Sequence, residues 1–222
     1  MERRIIETND GSKTIHLVNL NENYHSIHGA VQESEHVFIR NGLLKLSETK
    51  TELKILEIGF GTGLNAMLSM KTAALEKMSI YYEGLEAYPP KKEELSELNY
   101  QQLGQLKGFE KETEGIINCE WNVKIKISNF FTLCKKEIQI ENYSKNDFFD
   151  LIYFDAFGPR TQPEIWSLLN FKKIYNALRH RGIFVTYCAK GQVRRDLISV
   201  GFQVEKLPGP PGKREMIRAF KN

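Results

Sequence analysis

The chain has 222 residues, 41% hydrophobic and 27% charged, with a formal net charge of +3. That length suits one well-cored domain with a small appendage and is short for two complete enzyme domains. The composition argues against disorder, and no apolar run approaches the roughly 18 residues that span a bilayer, so no membrane partner is expected. Met1-Glu2-Arg3-Arg4 is followed by no apolar segment of the kind a secretory signal needs. Cys119, Cys134 and Cys188 are widely spaced and form no CxxC, which suits a reducing cytoplasm. The histidines are scattered without metal-ligand spacing, so no metal is expected.

The first element is a hairpin. Arg3–Glu7 and Lys13–Leu17 flank Asn9-Asp10-Gly11, a turn signal between two strands. Gln32–Leu44 has helical spacing, with a stop expected near Gly42. Strand–helix alternation then begins. Leu53–Ile58 reads as a buried strand, Gly59–Gly63 as a glycine loop, and Leu64–Met78 as a helix. Ser79–Leu85 is a second strand ending in Glu86, and Pro89-Pro90 opens a helix near Lys91. Tyr100–Glu120 reads as helix and loop, and Val123–Ile127 alternates cleanly as a third strand.

Phe148–Phe154 is a fourth strand ending in Asp155, and Pro163–His180 a long helix. Ile183–Tyr187 is a fifth strand and Gln192–Val200 a further helix. Phe202–Lys206 and Met216–Phe220 form a final pair around a proline-glycine turn. The fold expected is α/β: a Rossmann-like, mostly parallel sheet with one antiparallel strand near the C-terminus. Residues 1–50 are expected to form an N-terminal hairpin and cap, and residues 51–222 the Rossmann-like domain.

The net charge hides an asymmetry. Residues 172–222 carry 12 Lys/Arg against three acidic residues, giving +9, and the remainder carries −6. This raises the prior for an anionic partner near the C-terminal end.

The glycine loop narrows the chemistry. In Glu57-Ile58-Gly59-Phe60-Gly61-Thr62-Gly63-Leu64-Asn65, glycines sit where the chain turns sharply and a ligand approaches backbone. Glu86 follows Gly63 by 23 residues, where a carboxylate would accept from ribose hydroxyls. No Gly-Lys-Ser/Thr follows, so this is not a phosphate-binding Walker loop, and the third glycine is misplaced for a dinucleotide. The E-x-G-x-G-x-G form resembles the first motif of class I S-adenosylmethionine-dependent methyltransferases. That resemblance implies S-adenosylmethionine as methyl donor, held by Glu57, Gly59, Phe60, Gly61, Gly63, Asn65 and Glu86. Asn129, taken as the end of the third strand, would accept from the adenine amino group. Asp155 follows the fourth strand at the carboxyl edge of the sheet and is the candidate catalytic residue, beside apolar walls from Phe157 and Pro159.

Further segments make the resemblance more specific. They are Ser26-x-His28-Gly29-Ala30-x-x-Glu33-Ser34, Phe154-Asp155-Ala156-Phe157-Gly158-Pro159, Gln162-Pro163-Glu164-Ile165-Trp166, Thr186–Arg195 and Gly212-Lys213-Arg214-Glu215-Met216. Together they resemble the methyltransferase domain of the MnmC family and its stand-alone MnmD form. The resemblance implies methyl transfer to the amine of 5-aminomethyl(-2-thio)uridine at the wobble position of tRNA. It implies a cap over the cofactor built from His28–Ala30, Glu33 and Ser34. FAD is not expected, because 222 residues leave no room for the oxidase domain of MnmC. Phosphates of the tRNA anticodon region would meet Lys190, Arg194, Arg195, Lys213 and Arg214. Phe157, Trp166 or Tyr187 would be available to stack the base, though a helix Trp and a strand Tyr belong more naturally to the core. No DNA partner is expected. Two rivals stay open. One is an aminopropyltransferase of the spermidine-synthase type, which the basic C-terminal piece disfavours. The other is an RNA-binding module without catalysis, which the intact glycine loop, Glu86 and Asp155 disfavour.

Overall fold

A computed structural model describes residues 2–222. Strands β1 (Arg3–Glu7) and β2 (Lys13–Leu17) pair antiparallel, and β3 (Glu22–Asn23) joins the other edge of β2. Asp10 makes the hairpin turn: its Oδ1 accepts from the Ser12 backbone N–H at 3.1 Å and from the Thr8 hydroxyl at 2.8 Å.

A continuous helical segment follows, made of α1 (Ala30–Ser34), a π-helical stretch (Glu35–Leu43) and α2 (Leu44–Ser47). Gly42 lies inside it and does not end it, a correction to the stop expected there. A Cβ at Gly42 would come within 3.2 Å of both the Tyr153 ring and the Val185 side chain. The missing side chain lets the helix settle on the sheet.

The sheet is built from β4 (Glu52–Ile58), α3 (Leu64–Leu75), β5 (Ser79–Glu86), α4 (Lys92–Glu97), α5 (Glu110–Asn118), β6 (Lys124–Lys126) and β7 (Phe131–Glu137). It continues with β8 (Phe149–Phe154), α6 (Leu168–Ala177), β9 (Leu178–Thr186), α7 (Gly191–Ser199), β10 (Gln203–Pro208) and β11 (Glu215–Phe220). Its order is β10-β11-β9-β8-β4-β5-β7-β6. The five central strands, β7 to β9 across the sheet, are parallel. β11 pairs antiparallel with β9, as expected of the short final connection, and β6 pairs antiparallel with β7 at the other edge. Every residue of β8 is buried, because helices cover both faces of a parallel sheet.

Two further expectations are corrected. The third parallel strand is β7, not Val123–Ile127, of which Lys124–Lys126 forms the edge strand β6. The helix expected over Pro163–His180 begins at Leu168, where Ser167 caps it by accepting from the Asn170 N–H, and ends at Ala177. Leu178 already pairs with Phe149 as the start of β9.

From β4 the chain steps outward to β5 and β7 on one side, then returns to β8 and β9 on the other. The carboxyl ends of β4 and β8 therefore flank the point where the order reverses, and a crevice forms there. The β1–β3 sheet lies across it and shares one apolar core with the main sheet, which joins Ile15, Leu17, Val31, Phe38, Ile55 and Tyr153.

Candidate active site

Gly59 turns the chain out of β4 with φ +87°, and a Cβ there would stand 2.6 Å from the Asp155 carbonyl oxygen. Only glycine permits both the angle and the approach, so the loop lies directly against the end of β8. The Asp155 N–H donates to the Ile58 carbonyl at 2.9 Å and closes the same contact. On the other side, Gly59 and Phe60 donate to the Leu85 carbonyl at 3.0 and 2.9 Å. Glu86 then ties down the loop: Oε2 accepts from the Gly61 N–H and Oε1 from the Tyr88 N–H, each at 2.9 Å. A carboxylate offers about four lone-pair sites, so these bonds leave acceptor capacity for a ligand.

These groups border a cavity of about 820 Å³. Gly59, Phe60, Gly61, Glu86, Asp155 and Phe157 line its floor, and Tyr24, His25, Ser26 and Glu33 line its roof from the N-terminal cap. The volume falls within the range of about 300–1,000 Å³ usual for small-molecule sites. The roof is bonded to the loop, since His25 Nε2 and Thr62 Oγ1 are 2.8 Å apart. Burial lowers the His25 pKa to about 4, so its ring is neutral at ordinary pH.

The carboxyl groups are the chemical signature. Asp155 opens on the cavity and is enclosed by protein elsewhere. Burial, then Glu33 and Glu57, push its pKa well above the usual aspartate value, against an Asn65 hydrogen bond and Lys213. Burial raises Glu57 to about 8, against hydrogen bonds from Asn65 and Tyr82. Glu86 is raised by burial too, against the N–H groups of Tyr88 and Gly61. Acid groups held so close together and out of water favour their protonated forms, and a nearby positive charge would offset that.

Sequence-predicted residues fall into groups. Gly59, Phe60, Gly61, Glu86, Asp155 and Phe157 meet at the cavity. Glu57, Gly63 and Asn65 stand behind its wall, with Glu57 and Asn65 each 1% exposed. Asn129 is corrected: it precedes β7, at the opposite end of that strand from the cavity, and is exposed. The carboxyl end of β7 brings Ile138, Gln139 and Ile140 to the cavity instead.

Lys213 stands apart from the other basic residues. It is half-buried, lines the cavity, forms an ion pair with Glu33, and sits 3.9 Å from the Tyr187 ring centroid. Lys190, Arg194, Arg195 and Arg214 are exposed, and the first three form no ion pair among the described residues. Pro159 lies beside the cavity loop without lining it. Trp166 is core, packed on Phe154 at 4.6 Å, whereas Tyr187 lines the cavity and donates to the Ala156 carbonyl at 2.8 Å. Glu33, Lys213 and Tyr187 thus form one wall, a contact between three separate motifs that none of them announces by itself. Among the described residues no cluster of His, Cys, Asp and Glu is placed to hold a metal ion.

A mostly parallel sheet of this order, with a glycine loop and an acidic residue ending the next strand, defines an open α/β fold whose crevice lies at the carboxyl ends of its strands. The chain belongs to the S-adenosyl-L-methionine-dependent methyltransferase family whose profile matches residues 92–222. Among curated proteins it is 31% identical over 209 residues to the tRNA 5-methylaminomethyl-2-thiouridine biosynthesis bifunctional protein MnmC of Marinomonas sp. (strain MWYL1), covering 87% of this chain and 30% of that protein. It is 30% identical over 218 residues to the protein of the same name from Campylobacter hominis, covering 95% of this chain and 32% of that protein. The chain therefore spans about a third of the length of these relatives. Among solved structures, MNMC2 from Aquifex aeolicus superposes with a TM-score of 0.82 at 25% identity, over 98% of this chain and 70% of that one. Spermidine synthase from Thermotoga maritima shares the fold, with a TM-score of 0.59 at 14% identity over 99% of this chain and 68% of that one.

Proposed function

We propose that this protein methylates the primary amine of 5-aminomethyl(-2-thio)uridine at the wobble position of tRNA, giving the 5-methylaminomethyl nucleoside. The carrying observation is Asp155, a half-buried carboxyl group abutting the glycine loop in an acid-rich cavity. The relatives named for 5-methylaminomethyl-2-thiouridine biosynthesis support the choice of substrate.

The residues fit the donor. Glu86 keeps acceptor sites for ribose hydroxyls, Gly59 and Gly61 present bare backbone, and the carboxyl groups favour a cationic ligand. S-adenosylmethionine, when bound, supplies a methyl group on a positively charged sulfur. The remaining work falls to the chain. An aliphatic amine has a pKa of about 10.4 in water, and its protonated form has no lone pair. Apolar walls from Ile58, Leu85, Ile138 and Phe157 strip water from the amine and favour its neutral form. Asp155 Oδ2 is bonded to Asn65, and Oδ1 has no partner among the described residues, so Oδ1 accepts an amine N–H and aligns the nitrogen. The same carboxylate stabilises the positive charge that grows on nitrogen. Its raised pKa makes it a better proton acceptor than an ordinary aspartate.

Tyr187 and Phe157 offer ring surface to an extruded base, and Lys190, Arg194 and Arg195 lie on or just before α7, at the cavity edge of the sheet. Labelled S-adenosylmethionine with tRNA carrying aminomethyluridine should give label in the wobble nucleoside. Label elsewhere in the tRNA, or none, would sink the assignment.

A specific observation keeps the aminopropyltransferase in view. The basic residues lie outside the cavity, except Lys213 and Arg3, while Glu22, Glu33, Glu86, Glu141, Glu164 and Asp155 line it. The C-terminal charge therefore does not disfavour a polycation in the cavity. Decarboxylated S-adenosylmethionine with a small diamine is the control, and no aminopropyl transfer is expected.

A further inference from the structure

The Asn65 amide nitrogen donates to Glu57 Oε1 at 2.7 Å and to Asp155 Oδ2 at 2.8 Å. A primary amide has two N–H groups, and both are spent. The side chain does not reach the cavity, so no donor is left for a ligand. Glu57 accepts from the Tyr82 hydroxyl at 2.8 Å through its other oxygen. A row of side chains, Tyr82–Glu57–Asn65–Asp155, therefore runs from the sheet interior to the cavity wall. Each link comes from a different element: β5, β4, α3 and the end of β8.

We propose that Asn65 is a positioning residue for methyl transfer: anchored by Glu57, it pins one oxygen of Asp155 and leaves the other for the substrate amine. This rests on the reading of Asp155 given above. It replaces the sequence-based expectation that Glu57 and Asn65 touch the methyl donor. An amide N–H satisfies a carboxylate better than a carboxylic acid, so Asn65 also favours the charged form of Asp155. The groups facing Asp155 are Glu33 from α1 and Glu57 from β4, which hold its proton on. Asn65 from α3 and Lys213 from the β10–β11 connection take it off. Tyr82 of β5 and Tyr187 after β9 are neutral neighbours whose hydroxyls are pushed well above the usual range by burial and by nearby acids. Without the amide, Asp155 keeps its proton to higher pH and is free to rotate.

The test uses the whole protein with S-adenosylmethionine and aminomethyluridine-containing tRNA. Single-turnover rates are measured against pH, and S-adenosylhomocysteine binding is measured by calorimetry. Asn65→Ala and Asn65→Ser should lower the rate roughly tenfold or more and move the acid limb of the pH profile upward, while ligand affinity stays within about threefold. Tyr82→Phe, which loosens Glu57 from behind, should move the limb the same way by less. It serves if the Asn65 variants fold poorly by circular dichroism. An unmoved pH profile in the folded variants, or ligand affinity falling in step with rate, overturns the proposal. Asp155→Ala separates the two claims. Near-normal turnover there removes the reading of Asp155 itself, whereas lost turnover beside an unmoved Asn65 profile removes only the role of Asn65.

Discussion

Burial and hydrogen bonding pull in opposite directions at Asp155, and burial wins. The consequence is a carboxyl group that changes charge at a higher pH than aspartate ordinarily does. Turnover that needs the carboxylate should therefore rise with pH through that transition. Asp155→Asn keeps the shape and removes the charge. It should lower turnover by about 10²–10⁴-fold while donor affinity changes little, as rate and calorimetric measurements would reveal. Gly59 supports the same contact from the backbone side. In Gly59→Ala the new Cβ meets the Asp155 carbonyl, and the positive φ is strained besides. A loss of about 1–3 kcal/mol in urea unfolding is expected, together with weaker donor binding. Unchanged stability would mean that the loop has slack the geometry does not suggest.

Among the elements, the β10–β11 connection matters most to the site. It sends Lys213 to Glu33 and Tyr187, and sets Gly212 against His28, where an added Cβ would come within 2.1 Å of the ring. His36 Nε2 adds a contact to the Pro208 carbonyl at 2.8 Å. The final hairpin therefore latches the N-terminal cap. Lys213→Ala leaves the Glu33 carboxylate with only the Ser26 N–H at 3.0 Å. It should cost about 1–3 kcal/mol and speed hydrogen exchange over residues 22–33. If Lys213 were a phosphate contact, the variant would instead flatten the salt dependence of tRNA binding.

The elements also show what a sequence reveals and what it hides. The bounds of β1 and β2 are legible because alternation meets an Asn-Asp-Gly turn, and β8 because an unbroken apolar run between turn residues needs cover on both faces. The glycine loop, Glu86 and Asp155 are legible because each sits at a strand end. β7 misleads. Its charged tail Lys135-Lys136-Glu137 imitates a loop, and Lys135 is nevertheless buried, its ammonium donating to the carbonyls of Ile116 and Ile117 at 3.1 and 3.2 Å. Val123–Ile127 alternates more cleanly because an edge strand shows one face to water, and the Asn129 assignment followed from that mistake. The Glu33–Lys213 pair spans 180 positions and leaves no local trace. α6 stops at Ala177 although the helical pattern runs on, because pairing of Leu178 with Phe149 outweighs local propensity.

Over the whole molecule, the +9 of residues 172–222 is partly spent inside the protein. Arg179, Lys213 and Lys221 form ion pairs with Asp150, Glu33 and Asp147 of the first 171 residues. The exposed remainder on and around α7 is the better candidate for phosphates. Arg194→Glu with Arg195→Glu should weaken tRNA binding and reduce the slope of log affinity against log salt by about one to two, without altering donor binding. Equal loss of both affinities would indicate misfolding.

Stability should also depend on pH in a recognisable way. Glu57 rises from an ordinary 4.5 to about 8. Between those values the folded chain holds a proton that the unfolded chain has released, so stability falls as pH rises through that window. Asp155 and Glu86 push the same way. Thermal melts of the ligand-free protein should show a lower Tm at the alkaline end, and Glu57→Gln should lessen the decline. A Tm that rises across the window would contradict it.

The latch between Glu33 and Lys213 has a consequence for how the protein is made. A ribosome delivers the cap, the glycine loop and Asp155 long before it delivers Lys213. Until the last two strands emerge, Glu33 has no cation and the cap nothing at its far edge to hold it. Domains tend to form from the N-terminus as they are synthesised, at about 5–20 residues per second. Here the wall made by Glu33 and Lys213 can close only after the last two strands have emerged. A nascent chain halted before β10 should expose its cavity to protease and fail to retain the methyl donor, although the glycine loop, Glu86 and Asp155 are already present.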